Sequence, residues 1–439
     1  MMALTVENAL ERAGTGAFQR RLIGIFGFVW AADAMQVLAV GFTAPLIAAS
    51  FGLTVPEALQ TGTLFFLGML VGAFVFGRLA DRFGRRRVLI LTVSCDAIFG
   101  LASVFAPDFG WLLALRFLTG MAVGGTLPVD YAMMAEFLPA KNRGRWLVAL
   151  EGFWSIGTVA VALAAWMVSI AVVNDGWRFI FAATALPAIF GLGLRFFVPE
   201  SPMFLMKTGR AEEARVVIEE ILAENGRDGL RPYERLVLAH PEPAVSIFAP
   251  PYLRRTLIML SVWFLVSVSY YGIFTWLPAR LAAGEGFGFV RGYGFLVIVA
   301  LAQVPGYVLA AYGVEKWGRR PTLAGFLAAS AFGCLLFTLT TATPILLALS
   351  ILLMSFALLG SWGALYAYTP ELYPTTARAT GMGTAGAVAR LGGLLAPSVF
   401  ALVAAQHLSL AIALFAGFLA VSAAISYFID VETRQLAIG

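Results

Sequence analysis

Apolar runs of about twenty residues, separated by short segments rich in charge, glycine and proline, set the pattern of this chain. A bilayer core of about 30 Å is crossed by about 20 helical residues, and twelve runs have that length. They begin near Leu22, Gln60, Val88, Trp111, Trp146 and Trp177 and, after a polar interval, near Leu253, Gly292, Pro321, Thr343, Ala379 and Leu408. The pattern predicts six membrane helices, an interruption and six more. In the interruption, Arg210 to Glu224 places Ala214, Val217, Ile218, Ile221 and Leu222 at helical spacing, so a surface helix is expected there. The domains expected are residues 1–197 and 253–439 as six-helix bundles, with 198–252 as a linker carrying short helices of its own.

Charge placement orients the chain. With the N-terminus inside, all but six of the 30 Lys and Arg fall in cytoplasmic segments. Arg178, Arg280 and Arg291 fall outside, and Arg116, Arg195 and Arg390 lie within spans, which fits the positive-inside rule. Glu7, Glu11, Arg12, Arg20 and Arg21 precede the first run, so no cleavable leader is expected and both termini are placed in the cytoplasm. Composition agrees: of 439 residues 60% are hydrophobic and 13% charged, against about 25% charged in a soluble domain. The net charge of +5 is too small and dispersed to point to nucleic acid. Cys95 and Cys334 sit in apolar runs and support neither a disulfide framework nor a metal site. No phosphate loop, nucleophile elbow or His-rich cluster argues for an enzyme or an ATP-driven pump, and no cofactor is expected.

The halves repeat. Asp81-Arg-Phe-Gly-Arg-Arg86 and Glu315-Lys-Trp-Gly-Arg-Arg320 lie 234 residues apart, and Glu136-x-x-Pro-x-x-x-Arg143 and Glu371-x-x-Pro-x-x-x-Arg378 lie 235 apart. Two motifs at one offset indicate duplication, the architecture of many secondary transporters. Gly77 to Arg86 resembles the loop between helices two and three of the major facilitator superfamily. Arg116-Phe-Leu-Thr-Gly120-Met-Ala-Val-Gly124 is similar to its fourth-helix motif, and Pro199-Glu-Ser-Pro202 to the signature after helix six of sugar porters and their relatives. Leu127-Pro-Val-Asp130-Tyr with Glu136 to Pro139, Tyr368 to Pro374, and Arg390 to Pro397 resemble the branch that holds niacin permeases and synaptic vesicle two-related proteins. The Arg390 segment is also similar to that of organic-anion transporters. Thr126 stands where that branch has Asn, so contacts there do not carry over. The resemblance implies an all-α membrane protein with twelve transmembrane helices in two pseudo-symmetric six-helix bundles.

Repeated charges should serve what both halves share. Asp81, Arg82, Arg85, Glu136 and Arg143, with Glu315, Arg319, Arg320, Glu371 and Arg378, are expected at cytoplasmic helix ends as a gate of salt bridges across the two halves. The plainer alternative is that the basic runs only orient insertion. Charges whose offset partners are neutral should serve the solute: Asp33 (Ser267), Asp96 (Ser330), Arg116 (Ile351), Asp130 (Leu365) and Arg390 (Ser155). Ionisable groups within a membrane are costly and mark functional candidates.

Asp33, midway along span one with Trp30 and Val37 on its face, is at a height that Arg116 can reach. Burial favours the neutral acid and a guanidinium the charged one, so their approach and separation can move a proton. The resemblance agrees, since related proton symporters place an acid in helix one and an Arg in helix four. A static buried pair is the alternative. Asp130 is either a second proton site or a packing partner, while Asp96 and Arg195 are read as structural. Arg390, midway along span eleven beside glycines, suits bidentate capture of a carboxylate, unless it pairs with Glu151 or Asp130. Tyr270, Tyr271 and Phe274 in span seven, which the family pattern puts beside the cavity, with Trp362 and Tyr366 of span ten and Trp30, can sandwich a flat ring. Gln303 would supply a hydrogen bond. Singly, each aromatic reads better as packing; as a group they suit a planar aromatic ligand.

The expectation is a monomeric proton-coupled symporter of the bacterial inner membrane that imports a small organic anion, nicotinate first. Its partners are that solute, protons and lipid, with no nucleic acid. A sugar or polyol symporter and a membrane sensor that binds without transport are the alternatives.

Overall fold

In a computed structural model the protein is described over residues 2–139, 143–171, 175–238, 245–282, 290, 292–340, 343–399 and 408–433. His240, Arg291 and His407 lie outside these residues. A short strand β1 (Met2–Thr5) and helix α1 (Val6–Ala13) lead into the first long helix, α2 (Ala17–Phe51). A one-turn helix α3 (Val55–Ala58) precedes α4 (Gln60–Phe83), followed by α5 (Arg85–Val104), α6 (Phe109–Glu136), α7 (Arg143–Ala171) and α8 (Gly176–Arg195). The interval carries α9 (Pro202–Lys207), α10 (Ala211–Glu224) and a strand β2 (Glu234–Val237). The second set is α11 (Pro250–Ala282), α12 (Gly292–Leu301) continued by α13 (Gln303–Lys316), α14 (Arg319–Leu339), α15 (Pro344–Tyr368), α16 (Thr375–Val399) and α17 (Leu408–Ser426).

Helices are the element that satisfies every backbone group within the segment, which is what a hydrocarbon surround demands. Among the described residues eleven helical segments are long and apolar enough to cross a membrane. The twelfth, α16, spans 25 residues but carries Arg378, Arg390 and several glycines, which lower its apolarity. Phe74, Ile98, Phe105, Phe190, Phe332 and Leu339 point outward, as lipid-facing positions should.

The two sets pack alike. In the first, α4 lies on α6, α5 on α6 and α8, and α2 on α7 and α8; in the second, α13 lies on α15, α14 on α15 and α17, and α11 on α16 and α17. This is a twelve-helix membrane protein of two pseudo-symmetric bundles. Gly68 and Gly72 of α4 and Gly120 and Gly124 of α6 explain the closest seam: a Cβ at any of the four would run into the backbone of the facing helix.

At one end of the molecule lie both Gly-Arg-Arg turns and the linker, and we call it the basic end. There β1 pairs in parallel with β2, Arg12 bonds Glu234 at 3.2 Å and Arg21 bonds Glu224 at 2.8 Å, so the linker is tied to the start of the first bundle. The helices of the linker were expected; the strand pair was not, because β1 and β2 are four residues each and far apart in sequence.

Candidate functional site

Four layers of polar chemistry run through the molecule. At the basic end the repeated motifs form two copies of one cluster. Arg85 reaches Asp81 at 3.0 Å and Glu136 at 3.3 Å; Arg319 reaches Glu315 at 3.7 Å and Glu371 at 2.9 Å. Each Arg also donates through Nη1 to a carbonyl five residues back, Ala80 or Val314. The backbone N–H groups of Arg85 and Arg86 are accepted by Glu200, and those of Arg319 and Arg320 by Glu432. These are the free N–H groups of a helix start, where a carboxylate is favoured by the helix dipole. Gly84 and Gly318 take φ of 101° and 106°, and a Cβ on either would press on the capping carboxylate. Arg86 and Arg320 reach the carbonyls of Phe196 and Ile429. Arg82 lies over the Phe83 ring.

The gate was expected as salt bridges across the halves; in this conformation, sealed at the opposite end, the Arg85 and Arg319 pairs close within their own bundles. The reason is packing, since α6 ends beside the start of α5 and α15 beside the start of α14. Arg143 instead donates to the Leu138 carbonyl and Arg378 to the Pro370 carbonyl. These two guanidiniums are within electrostatic reach of each other across the halves, so like charges meet there.

The second layer is a polar network buried within the first bundle. Gln36 of α2 is its hub: its Oε1 accepts from Arg116 Nη1 at 2.9 Å, its carbonyl from Arg116 Nη2 at 2.9 Å, and its Nε2 donates to Asp96 at 3.2 Å. Thr184 donates to the same Oε1 at 3.3 Å. The Arg116 guanidinium lies 4.6 Å from the ring centroids of both Phe65 and Phe181. The expected approach of Asp33 to Arg116 is not made; Gln36, one turn further along α2, takes the guanidinium. Asp33 is 1% exposed, its Oδ2 has no hydrogen-bond partner, and Asp96, Asp130 and Arg195 are its charged neighbours. Asp130 is ion-paired with Arg195, which also lies over Phe26. Sequence reasoning missed Gln36 and the Asp130–Arg195 pair. The position of Gln36 at i+3 from Asp33 was the available signal.

The third layer is aromatic and lies between the bundles. Tyr270 lies tilted against Phe274 at 4.8 Å and edge-on to Tyr271 at 5.1 Å, and Trp362 lies 5.7 Å from Tyr270 and 6.0 Å from Tyr366. Trp263 packs edge-on against both Trp362 and Tyr366, a partner the sequence did not single out. The first bundle enters through Tyr131, 5.8 Å from Tyr366, Trp30 behind it at 6.4 Å, and Phe66, 4.6 Å from Tyr271. Trp154 of α7 donates its indole N–H to the Tyr270 hydroxyl at 2.9 Å, joining the halves. Arg390 borders this cluster beside Tyr271 and Tyr366. Its Nη1 bonds the Gly386 carbonyl at 2.9 Å, its Nε has no partner, and no carboxylate pairs with it among the described residues. Gln303 is buried with both side-chain polar atoms unpartnered, beside a cavity of about 10 Å³ lined by Leu38, Phe42, Thr158 and Phe274. That volume is about one water.

The fourth layer closes the end opposite the basic one. A Cβ at Gly41 of α2 would meet the Thr275 carbonyl of α11 at 2.7 Å, and the Tyr293 hydroxyl donates to the Phe42 carbonyl at 3.0 Å. The halves touch backbone to backbone here.

Two bundles meeting around a central site, closed at one end, are the form of an alternating-access carrier. The Major Facilitator Superfamily pattern matches residues 24–397, with a second match over 293–437, and the chain belongs to that superfamily. It is a multi-pass membrane transporter for a small molecule. It is 37% identical over 402 residues to the niacin transporter NiaP of Acinetobacter baylyi, covering 91% of this chain and 90% of that one. It is 30% identical over 451 residues to the synaptic vesicle 2-related protein of Xenopus laevis, covering 98% and 81%. Among solved structures it is similar to the xylose transporter XylE of E. coli in a partially occluded inward open conformation, with TM-score 0.77 and 19% identity over 96% of this chain and all of that one.

Proposed function

We propose that this chain imports a small aromatic monocarboxylate, nicotinate first, together with a proton. The observation that carries the reading is Arg390, a guanidinium between the bundles with no acidic partner among the described residues and with aromatic rings on one side. A permanent charge left uncompensated in such a place is stabilised when an anion arrives, and a planar fork suits a carboxylate. Tyr271, Tyr366 and Trp362 would flank the ring of the solute, with Trp30, Tyr270, Phe274 and Gln303 around them. The similarity to a niacin transporter supports nicotinate as the first solute to test.

The network of the first bundle supports the coupling. Among the described residues the cations beside Asp33, Asp96 and Asp130 are Arg116 and Arg195, so there is one carboxylate more than the guanidiniums can balance. Of the three, only Asp130 is ion-paired among the described residues; Asp96 accepts from Gln36 with Arg116 nearby, while Asp33 Oδ2 has no hydrogen-bond partner, so a proton on Asp33 balances the set. Asp130, held by Arg195, is the neighbour whose negative charge that proton relieves. Carriage then follows alternating access: the end opposite the basic one is sealed at Gly41 and Tyr293, and movement at the basic end, taken as cytoplasmic, parts the halves where Arg143 and Arg378 repel. The repeated clusters around Arg85 and Arg319 keep each bundle rigid during that motion, with Asp81, Arg82, Glu136, Glu315, Arg320 and Glu371 as its parts.

The test is uptake of labelled nicotinate into proteoliposomes under an inside-alkaline pH gradient. Wild type should accumulate the label above the equilibrium level, Asp33→Asn should not, and Arg390→Ala should neither bind nor take it up. Saturable binding with no accumulation would point to a binding protein, and accumulation by Asp33→Asn would remove the proton role of that residue.

A further inference from the structure

Among the described residues, Glu151 of α7 is the carboxylate of the aromatic layer that the preceding reading leaves unused. It is 3% exposed, its Oε1 has no hydrogen-bond partner, and it faces the Trp30 indole N–H without closing a bond to it. Trp30 Nε1 is unpartnered as well. A buried polar atom with no partner is costly, so its persistence asks for a reason. Around the carboxylate stand the hydroxyls of Tyr131, Tyr271, Tyr307 and Tyr366, each within its electrostatic reach. Two of these, Tyr271 and Tyr366, are equally within reach of Arg390. Glu151 belongs to the first bundle and Arg390 to the second, and neither is ion-paired with the other or with a third group among the described residues. The aromatic layer is thus flanked by a fixed cation on one bundle and a lone carboxyl on the other, with two tyrosines common to both.

We propose that Glu151 is the specificity residue of this site, bonding a ring nitrogen of the solute while Arg390 holds its carboxylate, so that the site selects aromatic carboxylates that carry such a nitrogen. The inference rests on the preceding reading of the central layer as the solute site. The chemistry closes in either protonation state. A protonated Glu151 donates its O–H to an unprotonated ring nitrogen, and an ionised Glu151 accepts from a protonated one; the same hydrogen bond joins the same two atoms. No bond other than this hydrogen bond is made or broken. A solute with a C–H in place of the nitrogen leaves the carboxyl unpartnered, and sites built to hydrogen-bond a group reject analogues that lack it far more strongly than they reject a change of size. The arrangement also spans the halves: a solute bonded to Glu151 on α7 and Arg390 on α16 pulls the two bundles together, whereas a benzoate would bind to one bundle's charge alone.

The test is equilibrium binding of nicotinate and benzoate, which differ by one ring atom, to purified full-length protein in detergent. Wild type should bind nicotinate about tenfold more tightly than benzoate. In Glu151→Leu the ratio should fall to about one, and Glu151→Met, a more flexible apolar substitute, should give the same result should the leucine variant not fold. In Glu151→Gln, whose side-chain amide can still donate to a ring nitrogen, most of the preference should remain. A wild-type ratio under twofold, or a preference that survives in the apolar variants, overturns the inference and leaves the carrier reading intact. Loss of both solutes in the apolar variants together with equal binding of both by Glu151→Gln would make Glu151 a counter-charge for Arg390, and overturns it too. Binding of neither solute by wild type would overturn the aromatic-carboxylate reading itself, and this inference with it.

Discussion

At the basic end the two halves are near copies, and between the bundles they are not. Arg85 and Arg319 each hold one acid four residues back and another at the end of a neighbouring helix, beside a positive-φ glycine and a capping glutamate. In the middle, Asp33, Asp96, Arg116, Asp130, Glu151 and Arg195 crowd one bundle, and Arg390 stands alone in the other among the described residues. The difference separates two kinds of work. Holding helix ends together is the same problem in both halves and keeps the same residues. A solute with a charged end and a flat ring has no two-fold symmetry, so the groups that meet it cannot be repeated. On the proposed reading, the unrepeated charges carry the chemistry and the repeated ones the frame.

The largest effect that would break this division is at Arg390. Arg390→Ala should weaken nicotinate binding by about a hundredfold or more, because a desolvated charge-assisted pair is lost, and Arg390→Lys should recover only part of it. Titration calorimetry measures both. Next comes the buried network. Gln36→Leu strips Arg116 and Asp96 of their shared partner and should lower stability by about 2 to 3 kcal/mol, read as a fall in the thermal midpoint. The frame offers a sharper comparison: Gly84→Ala and Gly318→Ala should each cost about 1 to 2 kcal/mol, by similar amounts, since each forces a Cβ into a positive φ beside a capping carboxylate. A clear difference between the two midpoints would show that the clusters are alike in shape only. The smallest effect is expected at the seam. Trp154→Phe removes the hydrogen bond to Tyr270 and should speed hydrogen exchange where α7 and α11 meet, at a cost of about 1 kcal/mol.

The twelve helices were legible because a run of twenty apolar residues admits few other structures, and all twelve begin within a few residues of where the pattern puts them. The repeat was legible too, and the structure adds what was not read from it, the i, i+4 pairing of Asp81 with Arg85 and of Glu315 with Arg319. What the sequence could not show was which neighbour each charge would find across helices. Glu136 and Glu371 were read as bridging the halves, but they turn back into their own bundles, because the helix they meet is decided by packing. Glu432 escaped notice where Glu200 did not, since only Glu200 sits in a recognisable motif; both cap a helix start. Asp33 and Arg116 were matched by height along their helices. An error of one turn, about 5.4 Å, was enough to put Gln36 in the place of Asp33.

The division between frame and chemistry is tested most directly by measuring nicotinate affinity in Arg390→Ala beside Arg319→Ala, two changes that each remove one guanidinium from the second bundle. Affinity should fall about a hundredfold or more in Arg390→Ala and stay within about threefold of wild type in Arg319→Ala. Equal losses in the two, or a larger loss at Arg319, would contradict the assignment of the unrepeated charge to the solute.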